Sequence, residues 1–493
     1  MMKTPRSLLL VLPVAVWLTG CAVTQVSSPA PVVAPAAFKE SGPWESGRWQ
    51  RSASQNPSAR PEAWWTVFHD PVLDDLVSRL AVGNENLRGL AAQVNSAKAT
   101  VDASRSALWP SLSVGPSLTR SRSATSANGN VVGTSAVNNS VALSANASWE
   151  IDLWGRLSQA SAQAKASYQA SEDDLAAARL SAQSTLVQTY LSMRTAEAQA
   201  ALLTRSLQAY DKSLSLTQAR YDGGLAARSD VLQAQTQLKS VQAQLAESRA
   251  QRSQLEHALA VLVGVAPSSL SLASGQGVLP AMPAIPRILP SQLLQRRPDV
   301  TAARHRVEAA YAQIGVADAA YFPSLNLSAS AGYRHDSLAG LLSAPNLFWS
   351  VGPSLTEVIF NGGQRELASA QARSGADQAT ATYRQTCLTA LQEVEDNLVL
   401  ADQLDQEAQF LTEALDDARR NLDIVMAQYQ GGTVSYLNVV AAQTSALSSE
   451  SSLLQVRNRQ LAAASLLLKN VAGAWSMEEA SGDAPAASAA TKP

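Results

Sequence analysis

Two copies of one pattern occupy most of this chain. The tetrapeptide YDGG at 221–224 recurs as YQGG at 429–432, an offset of 208 residues, and WPSL at 109–112 recurs as FPSL at 322–325, an offset of 213. A pattern that repeats at fixed offsets indicates one structural unit used twice. The two copies span roughly residues 84–264 and 298–471.

Each copy contains a long segment whose composition favours a helix. Residues 156–222, a run of 67, contain neither glycine nor proline, and 364–430 is the counterpart in the second copy. Apolar residues recur in steps of four and three, as at Leu203, Leu207 and Tyr210, which predicts a helix with a coiled-coil-like seam. At about 1.5 Å per residue such a helix reaches roughly 100 Å, well beyond the usual length in a globular domain.

A second, shorter helix is expected after each Gly-Gly pair, over Leu225–Val263 and Thr433–Val471. The pair supplies the positive φ angles that end one helix and allow the chain to reverse. Each copy is therefore predicted to end in a long helical hairpin.

Four other segments alternate between apolar and small polar residues, which predicts strands of a sheet with one wet face. They lie at 111–118, 140–151, 324–333 and 347–356. Each has about the 9–11 residues that a tilted strand needs to cross a bilayer, with small polar residues facing inward. Segments 124–139 and 335–346 are the expected loops at the outer mouth.

Four strands in one chain leave two strand edges unpaired, and a bilayer does not tolerate this because every backbone donor there needs a partner. Two copies would give about eight strands and a filled barrel, whereas three give about twelve and an aqueous lumen. The expected fold class is an α+β membrane protein, a twelve-stranded trimeric transmembrane β-barrel continued by a long α-helical barrel.

The N-terminus has the features of a secretory signal with a lipoprotein cleavage site. Lys3 and Arg6 precede an apolar stretch that ends in LTGC at 18–21. We expect cleavage before Cys21 and acylation of its thiol. An uncleaved membrane helix is disfavoured, because about 13 apolar residues interrupted by Pro13 are too few to cross the hydrocarbon core.

The residue after Cys21 and the net charge of the chain bear on where the protein is located and on what it binds. Ala22 stands where an aspartate usually retains enterobacterial lipoproteins at the inner membrane, so outer-membrane sorting is expected. With Cys21 lipidated, only Cys387 remains and no intrachain disulfide is possible. The formal charge of −2 gives no reason to expect nucleic acid as a partner.

The sequence lacks the residue patterns that would indicate catalysis. His69, His257, His305 and His335 are scattered without metal-ligand spacing. The sequence has no GxSxG, no P-loop and no GxGxxG between a strand and a helix. We therefore expect neither an enzyme nor a metal site nor a cofactor.

Several motifs together carry a family resemblance. They are the LTGC lipobox, Trp64-Trp65 with Phe68 and Asp70-Pro71, the LQRRPD run at 294–299, the duplicated unit and the two Tyr-x-Gly-Gly turns. With these, the chain resembles the outer-membrane factor family of TolC-like channels, in particular NodT-type efflux lipoproteins. Pro298 and Asp299 also have a structural interpretation, as first-turn residues of a helix.

The resemblance implies a homotrimer in the outer membrane that extends into the periplasm, closed at its periplasmic tip. It implies a periplasmic adaptor and an inner-membrane pump, expected to be proton-driven, as partners. It places the adaptor-docking tips at Gly223, Gly224, Leu225, Gly431, Gly432 and Thr433. It places the gate at Tyr221, Arg228, Asp230, Tyr429, Leu437 and Asn438, for which ordinary helix-end packing is the alternative interpretation.

The chain departs from some relatives at the gate. Val434 stands where some carry an arginine, and Asn438 and Ala441 stand where some carry aspartates. The gate of the second copy is therefore expected to be held by tyrosine hydroxyls and by apolar packing at Leu437, and any charge to come from the first copy.

The predicted organisation follows the chain in order. It comprises a signal peptide (1–20), a lipidated linker (21–60), first helices (61–107), strands 1–2 (108–152), a helical hairpin (153–264), an equatorial linker (265–297), one helix (298–321), strands 3–4 (322–360), a second hairpin (361–473) and a tail (474–493).

The predicted function is passive conduction of small molecules, such as drugs, toxic compounds or metals, as the outer-membrane component of a tripartite efflux system. Two alternatives remain open at this stage. One is an exit duct for type I protein secretion. The other is a lipid-anchored coiled-coil stalk without a pore, which leaves the alternating strands unexplained.

Overall fold

The computed structural model describes residues 34–40, 61–122, 137–275, 277–283, 294 and 296–472. These residues belong to two compact units. The first comprises residues 93–172 and 302–383, and the second comprises 32–92, 173–301 and 384 onward, as far as they are described. The predicted signal peptide, Cys21, most of the loop at 124–139 and the tail from 474 lie outside the described residues.

Helices and strands alternate in the order that the duplicated unit predicts. The helices are α1 (Pro71–Gly83), α2 (Glu85–Ser106), α3 (Arg156–Asp222), α4 (Arg228–Leu262), α5 (Pro298–Ala319), α6 (Gln364–Gln430) and α7 (Tyr436–Ala472). The strands are β1 (Ser111–Arg122), β2 (Val137–Ile151), β3 (Ser324–His335) and β4 (Leu347–Thr356). Short 3-10 helices lie at Pro61–Phe68, Pro267–Ser269 and Ala344–Asn346.

The first unit contains a four-stranded sheet in the order β1-β2-β3-β4, with every neighbouring pair antiparallel. The strands have 12, 15, 12 and 10 residues, so three of them exceed the predicted length. The predicted loop at 335–346 is the β3–β4 connection and includes the 3-10 helix Ala344–Asn346. β1 and β4 are the two edge strands.

Register keeps the two faces of this sheet chemically distinct. One row across the sheet consists of Ser113, Asn146, Ser330 and Ser350, and the hydroxyls of the last two lie 2.8 Å apart. The adjacent row consists of Val114, Ala145, Ala331 and Trp349. Because a slip of one residue would exchange the faces, the alternation specifies the register.

Strand pairing reproduces the sequence repeat. Ser111 pairs with Ser148 in the first copy and Ser324 pairs with Thr356 in the second, so β1 maps onto β3 at an offset of 213 and β2 onto β4 at 208. The same 208 relates Gly155 to Gly363, which precede α3 and α6 with φ of 78° and 86°. The copies therefore share backbone conformation as well as pattern.

Both 67-residue helices were predicted with their observed ends, because glycine lies immediately before and after each of them. The shorter helices begin three residues later than predicted. Ala227 is extended, with ψ of 153°, and α4 starts after it, while α7 starts only at Tyr436. The residues between each glycine pair and the next helix belong to the turn.

The second unit buries its core where the N-terminal segment meets the long helices. Leu73, Leu76 and Leu80 of α1 are fully buried and pack in one cluster with Leu186 and Tyr190 of α3. A buried leucine stabilises by about 1.5–3 kcal/mol relative to an exposed one. This cluster therefore fixes α1 against α3.

Aspartate 70 orders the start of α1. Its carboxylate accepts hydrogen bonds from the N–H groups of Val72 (2.9 Å) and Leu73 (3.4 Å), and Pro71 occupies the first helical turn. The same carboxylate accepts a 2.5 Å bond from the Tyr190 hydroxyl. The helix cap is thus also a contact to the long helix α3.

Helix α5 begins at Pro298, which confirms the predicted first-turn role of Pro298 and Asp299. Asp299 accepts a 2.6 Å bond from the buried Arg297, which also reaches Glu393 at 2.8 Å.

Within the described residues, no helix combines the length and apolar character that a membrane crossing requires.

Candidate gate at the ends of the helical hairpins

Each helical hairpin reverses through a turn of the same geometry. We call α3 with α4 the first hairpin and α6 with α7 the second hairpin. In the first turn the Leu225 N–H donates to the Arg220 carbonyl at 2.7 Å, and the Gly224 N–H donates to the Tyr221 carbonyl at 2.9 Å. The corresponding bonds in the second turn join Thr433 to Gln428 and Gly432 to Tyr429, each at 3.0 Å. This is the Schellman pattern, which requires one left-handed residue.

Only the second glycine of each pair has a positive φ. Gly224 and Gly432 have φ of 74° and 78°, whereas Gly223 and Gly431 do not adopt this conformation. The expectation that both glycines of a pair supply positive φ is therefore wrong. A Schellman turn places just one residue in the left-handed region, and the preceding residue still belongs to the helix end.

The predicted docking residues lie at the surface of these turns. All six are exposed: Gly223, Gly224, Leu225, Gly431, Gly432 and Thr433. Leu225 is 74% exposed, although it is a large apolar residue. The first turn thus presents an apolar side chain where the second presents the hydroxyl of Thr433.

The six predicted gate residues occupy different environments. Tyr429 is only 3% exposed, while Tyr221, its equivalent in the first copy, is 37% exposed. Leu437, Asn438 and Arg228 are exposed and Asp230 is half-buried. Of the six, Tyr429 alone lies buried between the hairpins within one chain.

Tyrosine 429 contacts both hairpins. Its ring packs against Tyr436, with centroids 5.4 Å apart, in a cluster with Ala234 and Val439. Its hydroxyl donates to the buried Thr217 hydroxyl at 3.3 Å. The side chain therefore joins α6 to α3 through a polar contact, and to α4 and α7 through packing.

A second pair of hydroxyls connects the hairpins beside it. The Ser213 hydroxyl donates to the Tyr436 hydroxyl at 3.4 Å. Burial raises the pKa of Tyr436 above its ordinary value. Because the phenol stays protonated at neutral pH, it keeps its hydrogen-bonding capacity there.

Arginine 220 makes a charged contact between the two hairpins. Its Nη1 donates to the Tyr429 carbonyl at 2.5 Å and approaches the Gln430 carbonyl at 3.4 Å. The guanidinium carbon lies 4.8 Å from the centre of the Tyr429 ring. An arginine of the first hairpin thus covers the C-terminal carbonyls of α6, where the helix dipole favours positive charge.

Two further contacts hold the hairpins together away from the turns. The Tyr210 hydroxyl donates to the Gln443 carbonyl at 3.2 Å, and burial raises the pKa of Tyr210. Glu450 of α7 pairs with Arg205 of α3 at 2.9 Å and with Arg419 of α6 at 2.7 Å. The turns are therefore the end of a longer zone of contact between hairpins.

Sequence reasoning missed several residues that join the hairpins. Arg220, Thr217, Ser213 and Tyr436 were not singled out. One signal was available, because each differs from its equivalent in the other copy. Their equivalents are Gln428, Val425, Asn421 and Arg228. Such divergence lets the two hairpins make different contacts, although exposed positions such as Leu225 and Thr433 diverge as well.

Metal chemistry finds no support at this site. Among the described residues, no group of three or more His, Cys, Asp or Glu side chains is placed to hold a metal ion. Cys387 is buried. The two hairpins are joined at this site by hydrogen bonds and ring contacts, which would break if the hairpins separated.

Comparison with known proteins decides the family. The chain matches the outer membrane efflux protein family over residues 76–265 and 289–474. The chain belongs to the outer membrane efflux protein family. The predicted family, fold class and outer-membrane location are thereby confirmed, and so is the prediction that this is a channel protein rather than an enzyme.

Relatives of this efflux protein align over most of their length. It is 29% identical to the antibiotic efflux pump outer membrane protein ArpC of Pseudomonas putida, over 95% of this chain and 96% of ArpC. It is 30% identical to the solvent efflux pump outer membrane protein SrpC of the same species, over 84% and 87%. The outer-membrane channel OprN has a similar structure, with a TM-score of 0.83 at 27% identity, over 91% of this chain and 99% of OprN.

Proposed function

We propose that this efflux protein works as a homotrimeric exit duct that conducts small molecules passively across the outer membrane. Its partners are a periplasmic adaptor and an inner-membrane pump, which supplies the energy. ArpC and SrpC, named for antibiotic and solvent efflux, support small molecules over polypeptides as the cargo. A passive duct needs no selective pocket, so the pump sets the choice of cargo.

The resting duct is closed by contacts between the two hairpins of each chain. The observation that carries this proposal is the contact of Arg220 with the Tyr429 carbonyl and ring. A hydrogen bond from a charged group contributes about 1.5–3 kcal/mol, and a cation–π contact about 0.5–2 kcal/mol. Separation of the hairpins at the turns breaks both.

Interaction free energies of this size are suited to a gate that a partner can open. Neutral hydroxyl contacts at Tyr429 and Tyr436 add about 0.5–1.5 kcal/mol each. Three symmetric copies then hold the open state at a low population, yet a partner that binds the open form a few kcal/mol better reverses the balance. The closed duct opens when the adaptor engages it.

The adaptor engages the two exposed turns. Leu225 supplies an apolar contact and Thr433 a hydroxyl, beside the glycine pairs at 223–224 and 431–432. Arg220 lies in the last turn of α3, next to the first turn. A partner that displaces this turn therefore also moves the guanidinium away from Tyr429.

The gate residues other than Tyr429 act on ions and on neighbouring copies. Arg228 and Asp230 bring charge to the first hairpin, whereas Asn438 brings none to the second. Leu437 is 58% exposed within one chain, so its apolar packing is against a second copy. Tyr221, also exposed, lies beside the first turn.

Lipidation fixes the chain to the membrane through its N-terminus. Acylated Cys21 anchors the mature protein to the inner leaflet of the outer membrane, because two or more acyl chains give stable attachment. The sequence LTGC at 18–21 supports this anchor.

Native mass spectrometry and planar-bilayer recording of the purified protein test the proposal together. We expect a mass of three chains and single channels that are mostly closed. A monomer that inserts without conductance would support the non-conducting stalk instead. The cargo is tested in a strain that lacks the gene for this protein, which we expect to accumulate small antibiotics. A strain that stops secreting a protein and does not accumulate antibiotics would support type I secretion instead.

A further inference from the structure

The polar face of the sheet carries little charge. The barrel turns this face toward its lumen, because the apolar face meets lipid. On it the described strands carry two charged side chains, Glu150 of β2 and Arg334 of β3. Arg156 donates to both carboxylate oxygens of Glu150, at 2.8 and 2.7 Å, which compensates that charge. Arg334 has no carboxylate partner among the described residues.

Arg334 lies near the outer end of the lumen. It is the last residue but one of β3 and pairs with Ala142 of β2. β3 begins shortly after helix α5 and ends at the β3–β4 connection, so Arg334 lies at the end of the sheet remote from the helices. That end faces the outside of the cell, because the helices extend into the periplasm.

Phe348 of β4 holds this arginine in place. The guanidinium carbon of Arg334 lies 5.0 Å from the centre of the Phe348 ring. Phe348 is half-buried and lies on the polar face, opposite Gly332. An aromatic ring attracts a guanidinium over its face, and the contact limits a side chain that would otherwise occupy many rotamers. The positive charge is therefore fixed at one level of the wall.

The first copy of the repeat lacks this pair. Ser121 is the equivalent of Arg334 at the offset of 213 residues, and Ser140 is the equivalent of Phe348 at the offset of 208. Both serines lie within the β1–β2 ladder. The same strand pair therefore forms without an arginine and a phenylalanine at these positions, so folding of the unit does not require them.

A trimer multiplies the isolated charge. Because the first copy has serine at the equivalent position, three chains place three copies of Arg334 around the lumen. Arginine keeps its charge at physiological pH. A passage lined by one sign of charge raises the local concentration of ions of the opposite sign, and side chains that line a barrel lumen tune its selectivity.

We propose that Arg334 is a specificity-determining residue at the outer end of the lumen, where three copies form a ring of positive charge that attracts small anionic solutes. Phe348 is its positioning residue. The ring favours the exit of solutes that carry carboxylate or phosphate groups over cationic solutes of equal size. The pump still selects the cargo, and the ring alters how readily a solute leaves. The inference rests on the proposed trimeric channel and deepens it.

Side-specific block of single channels tests the ring. The full-length protein is added to one chamber of a planar bilayer, so its helices stay there and the outer mouth opens to the other. Inositol hexakisphosphate, a compact polyanion, is added to the chamber at the outer mouth, with neutral inositol as its control.

Four variants separate the charge from the fold. Arg334→Ser supplies the side chain that the first copy carries at this position, and Arg334→Lys keeps the charge. Phe348→Ser keeps the arginine and removes the ring that holds it. Arg120→Gln is the matched control, because it removes an exposed arginine near the same end of the sheet from the apolar face.

We expect inositol hexakisphosphate to block the wild type and Arg120→Gln equally. Arg334→Ser should need at least about fivefold more, because one contact between unit charges about 4 Å apart in water already gives about that factor. Arg334→Lys should keep most of the block. Phe348→Ser should weaken the block, but by less than Arg334→Ser.

Equal block of Arg334→Ser and the wild type, or an equal loss in Arg120→Gln, would overturn the ring. Loss of the block in Arg334→Lys would overturn the assignment to charge, and full block of Phe348→Ser would overturn the positioning role of Phe348. In each of these cases the channels conduct and the channel proposal stands. A wild type that shows no conductance would overturn the channel itself.

Discussion

Arg220 of the first hairpin donates a hydrogen bond to the main-chain carbonyl of Tyr429 in the second hairpin, at 2.5 Å, while its guanidinium lies over the Tyr429 ring. The Nε of Arg220 is buried and forms no hydrogen bond within the described part of the chain. The arginine is thus held by its contacts with one turn of the other hairpin. Any movement that separates the hairpins at this level must break them.

The tyrosine hydroxyls should contribute measurably to closure. Tyr429→Phe with Leu437→Ala removes the bond to Thr217 and the exposed apolar side chain, and should raise the open probability and admit bulky antibiotics such as vancomycin without an adaptor. The lost bond is worth about 0.5–1.5 kcal/mol per chain. Single-channel recording and antibiotic susceptibility measure this. Behaviour equal to wild type would exclude these two side chains from the gate.

Charge at the first hairpin should govern ion preference rather than closure. Asp230 is half-buried at the start of α4 and lies near Tyr436, whose pKa its charge raises in part. Asp230→Ala should reduce the preference for cations and leave the open probability unchanged. Reversal potentials in a salt gradient measure the preference. An Asp230→Ala channel that stays open would instead assign the gate to an ionic contact in the first hairpin.

The two glycines of the second turn should respond differently to alanine. Gly432 has φ of 78°, where a Cβ costs roughly 1–2 kcal/mol, whereas Gly431 lacks a positive φ and serves as the matched control. Gly432→Ala should therefore increase hydrogen exchange at the end of α6, and Gly431→Ala should not. Equal protection in both variants would show that the Schellman turn does not hold this helix end.

Acylation should require Cys21 and should matter more for maturation than for conductance. Metabolic labelling with a radioactive fatty acid should mark the wild type and not Cys21→Ser, because the thiol is the acylation site. Supplied with a cleavable signal, Cys21→Ser should still insert and conduct, since the strands span the membrane. An unlabelled wild type would contradict the lipoprotein, and a Cys21→Ser protein that cannot insert would contradict the barrel argument.

Local signals explain how much of the fold the sequence predicted. The ends of α3 and α6 follow from the glycines immediately before and after each helix. Strand faces follow from alternation, because side chains on a strand point to opposite sides in turn. The start of α4 was missed because the N-cap, Ala227, forms no side-chain cap, so only its extended backbone marks the boundary.

The candidate gate was harder to predict because its contacts join distant parts of the chain. Heptad spacing indicated that Tyr429 lies on a seam but not which helix it meets. Arg220 was not singled out, because nothing local indicates that it reaches a turn 209 residues away. The family resemblance indicated the region of the gate, and the structure shows which residues contact each other there.

We infer that contacts between hairpins of the same chain keep a passive channel closed. The most direct test is the single-channel open probability of Arg220→Ala in planar bilayers, beside Arg249→Ala, which removes an exposed arginine from the same hairpin. Loss of about 1.5–3 kcal/mol per chain predicts at least about a tenfold rise for Arg220→Ala, because 1.4 kcal/mol is a factor of ten. Arg249→Ala should match the wild type. An Arg220→Ala channel that stays as closed as the wild type, or equal opening in both variants, would contradict the claim.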